Sequence, residues 1–250
     1  MSGPARRAGL ARMVAAQARI ELLTTLRRGE SVVVTVLIPA LLLVFFTSSR
    51  VLAVSGLSQV EFLLPGMLAL AVVSTGFVSL GIATAFERHY GTLKLLGATP
   101  LPRAGLVAAK AVAVVAIEAA QVALLTGIAL LYGWHLRGSA AHALLALALG
   151  TCAFTGLGLA MAGALRAETT LAVANGGFLV LLLVSGIVLP LSHLPAWLAA
   201  VGRVLPAAPL AEVLRATLST GAPPSAASLA LLAGWAVLGP ILAVRRFRWE

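Results

Sequence analysis

The chain has 250 residues, of which 60% are hydrophobic and only 10% are charged, and it carries a formal net charge of +10. A soluble domain usually contains about 25% charged residues. This much apolar surface therefore excludes a single soluble core and requires lipid as the solvent for much of the chain. The positive charge does not indicate a nucleic-acid partner, because the basic residues flank apolar runs instead of forming one surface stripe.

Missing residue types exclude several kinds of chemistry. The sequence contains no aspartate and no Gly-Lys pair, which excludes an aspartyl-phosphate pump and the phosphate-binding loop of an ATPase. Its single cysteine, Cys152, cannot form an intramolecular disulfide, and no side-chain spacing fits a metal site or a nucleophile with its base. The sequence therefore predicts no catalytic residue, no metal and no bound cofactor. Any ATP-driven work requires a separate chain that holds ATP and magnesium.

Residues 1–30 form a basic N-terminal segment. Leu10, Met13, Val14 and Ile20 share one helical face, and arginines lie on the opposite face. This pattern predicts a cytosolic tail with an amphipathic helix on the inner leaflet, and a solvated basic tail is the alternative. A secretory signal peptide fits poorly, because about 30 residues precede the first apolar run.

Residues 31–250 are predicted to form one all-α transmembrane domain. A bilayer core about 30 Å thick needs roughly 20 apolar residues in a helix. The apolar runs do not alternate as barrel strands would, and backbone groups in lipid must be satisfied internally, so the runs are predicted to be helices. The six predicted spans are Ser31–Phe46, Phe62–Phe86, Ala104–Leu131, Ala141–Leu165, Thr169–Leu189 and Ser225–Val244.

The distribution of basic residues predicts the orientation. Cytosolic loops of membrane proteins are enriched in Lys and Arg. With six spans, 14 of the 18 basic residues fall on one side, and only Arg50, Arg137, Arg203 and Arg215 fall on the other. Both termini are therefore predicted to be cytosolic.

Two polar residues lie inside the third predicted span. Glu118 is about half-way along it, where a carboxylate costs about 2.5–3.5 kcal/mol on insertion scales. Gln121, one turn on, is expected to hydrogen-bond it. Both residues are candidates for a substrate path, and the alternative is a protonated glutamate that holds helices together.

Small residues recur in the fourth predicted span, at Gly150, Gly156, Gly158 and Gly163. Glycines at such spacing let membrane helices approach closely. We therefore expect this span to pack tightly against its neighbours.

A polar loop, residues 87–103, separates the second and third spans. A short surface helix is predicted over Glu87–Gly97, with Gly91 allowing entry and the prolines at 100 and 102 ending it. Its leucines are expected to be exposed and to insert into a groove on a partner, with charged residues at the rim. The alternative is a loop that packs only against its own N-terminal helix. The residues assigned to this contact are Glu87, Arg88, Gly91, Thr92, Leu93, Lys94, Leu95, Leu96, Pro100 and Arg103.

The segment 190–224 is the longest stretch between spans. Its repeated prolines and helically spaced apolar residues predict two short helices, half-buried at the outer leaflet. The residues singled out here are Pro206, Pro209, Glu212 and Arg215. Glu212 and Arg215 lie three residues apart and are expected to pair.

Together these features resemble the permeases of type-2 ABC exporters. Leu26-Arg27-Arg28-Gly29-Glu30 leads into a first span that contains Pro39, as in that family. The loop is similar to the family pattern, with Glu87-Arg88, Gly91-Thr92, Leu95-Leu96, Thr99-Pro100 and Arg103. The interval from Leu205-Pro206 to Leu214-Arg215 resembles the family's re-entrant outer hairpin. One departure is Glu212, which stands where the family commonly has aspartate.

The resemblance implies a half-transporter in a bacterial-type plasma membrane. Two ABC ATPase subunits would bind through loop 87–103, and a second permease chain would complete a homo- or heterodimer. The resemblance does not name the substrate, but a compact permease without a large extracellular domain more often resembles exporters of a hydrophobic or amphipathic drug or a lipid-like molecule. Export of a lipid-linked glycan is an alternative, as are a non-transporting membrane module and a secondary transporter that uses Glu118.

Overall fold

The computed structural model describes residues 9–27, 29–49, 57–187 and 191–246. These residues are helical apart from short turns and loops, and no strand occurs among them. The helices are α1 Leu10–Arg27, α2 Gly29–Ser49, α3 Gln59–Val72, α4 Leu80–His89, α5 Thr92–Gly97, α6 Arg103–Leu131, α7 Ala140–Ala164, α8 Ala167–Val184, α9 Ala196–Val204, α10 Ala207–Arg215 and α11 Ala226–Arg246. Pro190 lies outside the described residues. So do five of the arginines used to predict the orientation, namely Arg6, Arg7, Arg28, Arg50 and Arg248.

Within the part of the chain that the structure describes, five helical units are long and apolar enough to cross a membrane. They are the continuous helix Gln59–His89, in which a π-helical stretch joins α3 to α4, and the helices α6, α7, α8 and α11. The predicted first span, Ser31–Phe46, falls within the 21-residue helix α2. The predicted fifth span, Thr169–Leu189, is too long at its end, because α8 stops at Val184. The all-α, polytopic membrane fold is confirmed.

The helix Gln59–His89 lies at the centre of the bundle, with 72% of its apolar window buried against 17% for α11. A capping box starts it. The Ser58 amide donates to the Glu61 carboxylate at 2.8 Å, and the Glu61 amide donates to the Ser58 hydroxyl at 3.4 Å. Residues all round α3 are buried, which explains why the segment shows no polar face.

Glycines on α7 bring its backbone against two neighbours. A Cβ at Gly158 would lie 2.5 Å from the Gly76 carbonyl oxygen, and one at Gly239 on α11 would lie 2.6 Å from the Ala153 oxygen. These distances are too short for any side chain. The predicted close packing of the fourth span is therefore present in the structure, and its partners are α11 and the central helix.

The segment before α11 folds back as a hairpin. Helix α9 and the unit Ala207–Thr220 meet at an angle of 86°. The Trp235 indole nitrogen of α11 donates to the Val204 carbonyl at the bend, at 2.9 Å. The far end returns to the start of α3, where Ser219 donates to the Glu61 carbonyl. A pair bent this sharply is either a broken span or a re-entrant loop, and its return to the start of α3 favours the re-entrant form.

Candidate functional site

Helix α1 packs against α6 and the small core around α5. Met13 and Val14 contact this core around Leu93. Leu10 and Ile20 are 53% and 57% exposed, and the predicted contact of the apolar face with the inner leaflet stays a prediction. Two residues that the hydrophobic pattern did not single out, Gln17 and Ala18, are buried. The polar Gln17 fits there because its amide donates to Glu21 at 2.9 Å.

The predicted loop helix begins later than expected. Glu87 and Arg88 belong to the last turn of α4, and α5 covers only Thr92–Gly97. Gly91 joins the two helices with a φ of +76°, a backbone conformation that glycine adopts without strain. Pro100, Pro102 and Arg103 are exposed, with Pro102 capping the start of α6. The chain therefore makes two sharp turns around one short helix.

The three leucines of α5 have different environments. Leu95 is 74% exposed, as predicted. Leu93 is 1% exposed and forms a small core with Leu101 and Leu106, so its predicted exposure was wrong. Leu96 is partly buried against the same core. Because α5 lies on α1 and α6, one side of it is already occupied, and only the side that carries Leu95 remains open.

An ion triad that the sequence did not reveal connects three helices. The Lys110 ammonium on α6 lies 2.7 Å from the Glu87 carboxylate on α4 and 2.8 Å from the Glu21 carboxylate on α1. The relative exposures of the three side chains are 1% for the lysine, 13% for Glu87 and 11% for Glu21. Glu87 therefore has an ion-pair partner inside the chain, next to the turn that leads to α5. Its predicted rim contact with another protein stays a prediction.

Arg88 also has internal partners. Its guanidinium donates to the Gly163 carbonyl at 2.6 Å and to the Leu165 carbonyl. The last carbonyls of a helix have no partner within that helix, so a guanidinium there completes the end of α7. Arg88 therefore caps the end of α7, and its predicted rim contact with another protein stays a prediction. Thr92 and Lys94, both on α5, are exposed.

Glu118 and Gln121 are both buried, but they do not bond to each other as predicted. Glu118 accepts a hydrogen bond from the Thr151 hydroxyl on α7, and its other carboxyl oxygen has no partner among the described residues. Gln121 accepts from the Thr75 hydroxyl and donates to the Thr35 carbonyl, both at 3.1 Å. These contacts join α6 to α7, to the central helix and to α2. They favour the helix-linking interpretation over the substrate path.

A cavity of about 910 Å³ lies between α2, the central helix and α8. Apolar side chains make up most of its wall, with isolated hydroxyl and amide groups from Ser74, Ser79 and Asn175. At the α5 end it is lined by Phe86, Glu87 and Tyr90, and neither Glu118 nor Gln121 is part of its wall. Its volume and character fit a drug-sized apolar ligand. Sequence reasoning missed this cavity because its walls come from helices that are distant along the chain.

The four residues predicted for the outer hairpin have different environments in the structure. Pro206 and Pro209 are buried near the bend, and Glu212 is exposed. Arg215 donates to the Gly186 carbonyl at 2.9 Å, and its guanidinium lies 4.4 Å from the centre of the Phe62 ring. The predicted ion pair with Glu212 is therefore replaced by contacts that join the hairpin to the end of α8 and to α3.

A further ion pair closes the hairpin side of the bundle. Arg137, in the loop between α6 and α7, lies 2.5 Å from the Glu61 carboxylate. Within the described residues, no group of three His, Cys, Asp or Glu side chains could hold a metal ion.

The family model of the ABC-2 type transporter matches residues 12–219, from α1 to the end of the hairpin. None of the curated proteins matches the chain. The family match covers most of the sequence and agrees with the multi-pass helical bundle found here. The chain therefore belongs to the ABC-2 type transporter family and is a membrane permease component of an ABC transporter.

Proposed function

We propose that this permease exports a hydrophobic or amphipathic drug or lipid-like molecule, driven by ATP hydrolysis on a partner chain. The observation that carries the proposal is the cavity of about 910 Å³ between α2, the central helix and α8. A mostly apolar cavity of this size within a membrane domain suits a molecule that partitions into lipid before it is transported.

The partner in this proposal is an ABC ATPase, present in two copies, which holds ATP and magnesium. It docks on the open side of α5, where Leu95 is 74% exposed, with Thr92 and Lys94 close by. An exposed apolar side chain on a rigid helix fits a groove on another protein. A second permease chain completes the complex. Both termini then lie in the cytosol of a cell with a bacterial-type plasma membrane.

The alternatives receive less support. A secondary transporter that uses Glu118 would need that carboxylate in a substrate path, and Glu118 instead bonds Thr151 outside the cavity. A lipid-linked glycan calls for a wall rich in hydrogen-bonding groups, and this wall is mostly apolar.

Reconstitution tests the proposal. The permease is expressed with an ABC ATPase that co-purifies with it and placed in vesicles that contain a lipophilic fluorescent dye. We expect ATP to drive dye movement, and the same complex with the ATPase's phosphate-binding lysine replaced serves as the control. Dye movement that is equal in the two complexes would contradict ATP-driven transport.

A further inference from the structure

The α5 end of the cavity differs in chemistry from the rest of its wall. Glu87 is the one charged residue among the described residues that line the cavity. The aromatic rings of Phe86 and Tyr90 stand beside it, stacked with their centres 6.1 Å apart. A carboxylate next to aromatic faces is a combination that attracts organic cations, since each ring presents a negative face to a positive charge.

Lys110 does not fully neutralise this carboxylate. Its ammonium is shared between Glu87 at 2.7 Å and Glu21 at 2.8 Å, so the triad of two carboxylates and one ammonium keeps a net charge of −1. Of the three side chains, only that of Glu87 reaches the cavity wall. The remaining negative charge is therefore presented to the cavity from Glu87.

The arginine next to Glu87 in the chain is directed to the end of α7. Arg88 follows Glu87 in the chain, but its guanidinium donates to the Gly163 and Leu165 carbonyls at the end of α7. In a wall of low polarity, a net negative charge such as that of the triad interacts more strongly with a ligand than it would in water. A cation that enters the cavity therefore finds its counter-charge at Glu87.

We propose that the cavity selects organic cations with a bulky apolar body, with Glu87, Phe86 and Tyr90 holding the charged end. This inference rests on the proposed export function and narrows its substrate class. The apolar body of the ligand lies along the wall formed by α2 and α8, which carries Ile38, Leu171 and Phe178. Anions of the same shape are disfavoured, because they would place like charge beside Glu87.

Two ions of matched shape and opposite charge test the proposal. Tetraphenylphosphonium and tetraphenylborate are measured by equilibrium dialysis against the permease in lipid nanodiscs, with uptake by empty nanodiscs subtracted. We expect the cation to bind at least tenfold more tightly than the anion. Equal affinity, or tighter binding of the anion, would overturn the proposal. This measurement uses the unaltered permease.

Two glutamine variants then locate the charge. Glu87→Gln and Glu21→Gln each leave a single Glu–Lys pair, so they disturb the triad alike, but only the first removes a carboxylate from the cavity wall. We expect about tenfold weaker binding of tetraphenylphosphonium with Glu87→Gln. With Glu21→Gln we expect a loss of about threefold or less, because Lys110 then neutralises Glu87 more fully. Equal losses would place the effect in the triad and overturn the assignment to the wall.

A transport measurement separates this inference from the function it rests on. In vesicles that contain the complex with its ATPase, tetraphenylphosphonium movement is followed with and without ATP. Cation-selective binding without ATP-driven movement would contradict the export function but still support the cation-binding site. ATP-driven movement of a neutral dye, together with equal binding of the two ions, would overturn the cation site but still support the export function.

Discussion

Lys110 is among the least exposed side chains of the described residues, at 1%, although it carries a charge in an apolar helix. The charge is tolerated because two carboxylates, Glu21 and Glu87, lie within 2.8 Å of it. A buried ion pair of this kind adds little net stability over an apolar replacement, but removing one partner leaves an uncompensated charge. The triad therefore makes the positions of α1, α4 and α6 depend on one another.

Removing the ammonium should destabilise the protein strongly. Lys110→Met leaves two neighbouring carboxylates without a cation, and we expect a loss of about 3–5 kcal/mol in stability. Thermal unfolding in detergent, followed by Trp fluorescence, measures the loss. Arg103→Met, at the exposed start of α6, is the control and should shift the transition little. Combining Lys110→Met with Glu21→Gln and Glu87→Gln should recover much of the loss, and failure to do so would contradict the charge argument.

At the scale of elements, α5 is held on one side and open on the other. Leu93 is buried in a core shared with α1 and α6, while Leu95 points away from that core and is 74% exposed. The predicted docking helix is therefore only six residues long, and its orientation is set by contacts within the chain. A partner that moves α5 would also act on α1 and, through the turn at Gly91, on α4.

Two leucine variants separate docking from folding. Leu95→Asp should leave the thermal transition nearly unchanged but abolish co-purification with the ATPase, because it places a charge at the centre of the proposed contact. Leu93→Asp buries an unpaired carboxylate and should lower the thermal transition markedly. Pull-down and thermal unfolding are measured on both variants. An ATPase that still co-purifies with a well-folded Leu95→Asp protein would show that α5 is not the docking element.

The packing of α7 gives a second test at this scale. Gly158→Ala places a methyl group 2.5 Å from the Gly76 carbonyl oxygen, so backbone must shift, at a cost of about 1–3 kcal/mol. Gly176→Ala is the matched control, because nothing lies within 4 Å of a Cβ there. The control should be neutral or slightly stabilising, since alanine favours a helix. Similar unfolding temperatures for both variants would contradict the close approach of α7 to the central helix.

At the scale of the whole molecule, the hairpin and α5 lie at opposite ends of the bundle. Glu61, near the start of the helix Gln59–His89, pairs with Arg137 and bonds Ser219 of the hairpin. At the other end of the same helix, Glu87 joins the triad next to α5. One continuous helix therefore connects the α5 end to the hairpin end, and under the proposed docking at α5 it would carry motion from one end to the other.

Orientation is tested by labelling in intact cells. With Cys152 replaced by alanine, Thr92→Cys on α5 should resist a membrane-impermeant thiol reagent, and Thr220→Cys at the end of the hairpin should react. Both positions are exposed in the structure. The expectation follows from the 14 basic residues assigned to the α5 side. Other sites suited to this test, Ser2, Ser55 and Trp249, lie outside the described residues. Labelling of Thr92→Cys in unbroken cells would reverse the topology.

The amino-acid sequence by itself determined the fold class, the family and the approximate limits of the apolar helices. Those features depend on local properties, namely hydrophobic length, the prolines and the polar loop after the central helix, which are readable one segment at a time. The turn at Gly91 is also a local feature that the sequence predicts, because glycine adopts its φ of +76° without strain.

The tertiary structure alone decided which polar residues meet. Glu21, Glu87 and Lys110 are separated by up to 89 residues along the chain, and no periodicity links them. The same applies to the Arg88 cap on α7 and to the cavity wall, which needs α2, α8 and the central helix in place. Burying a charge in a membrane protein requires a partner from another helix. The choice of that partner is a property of helix packing, which a single sequence does not specify.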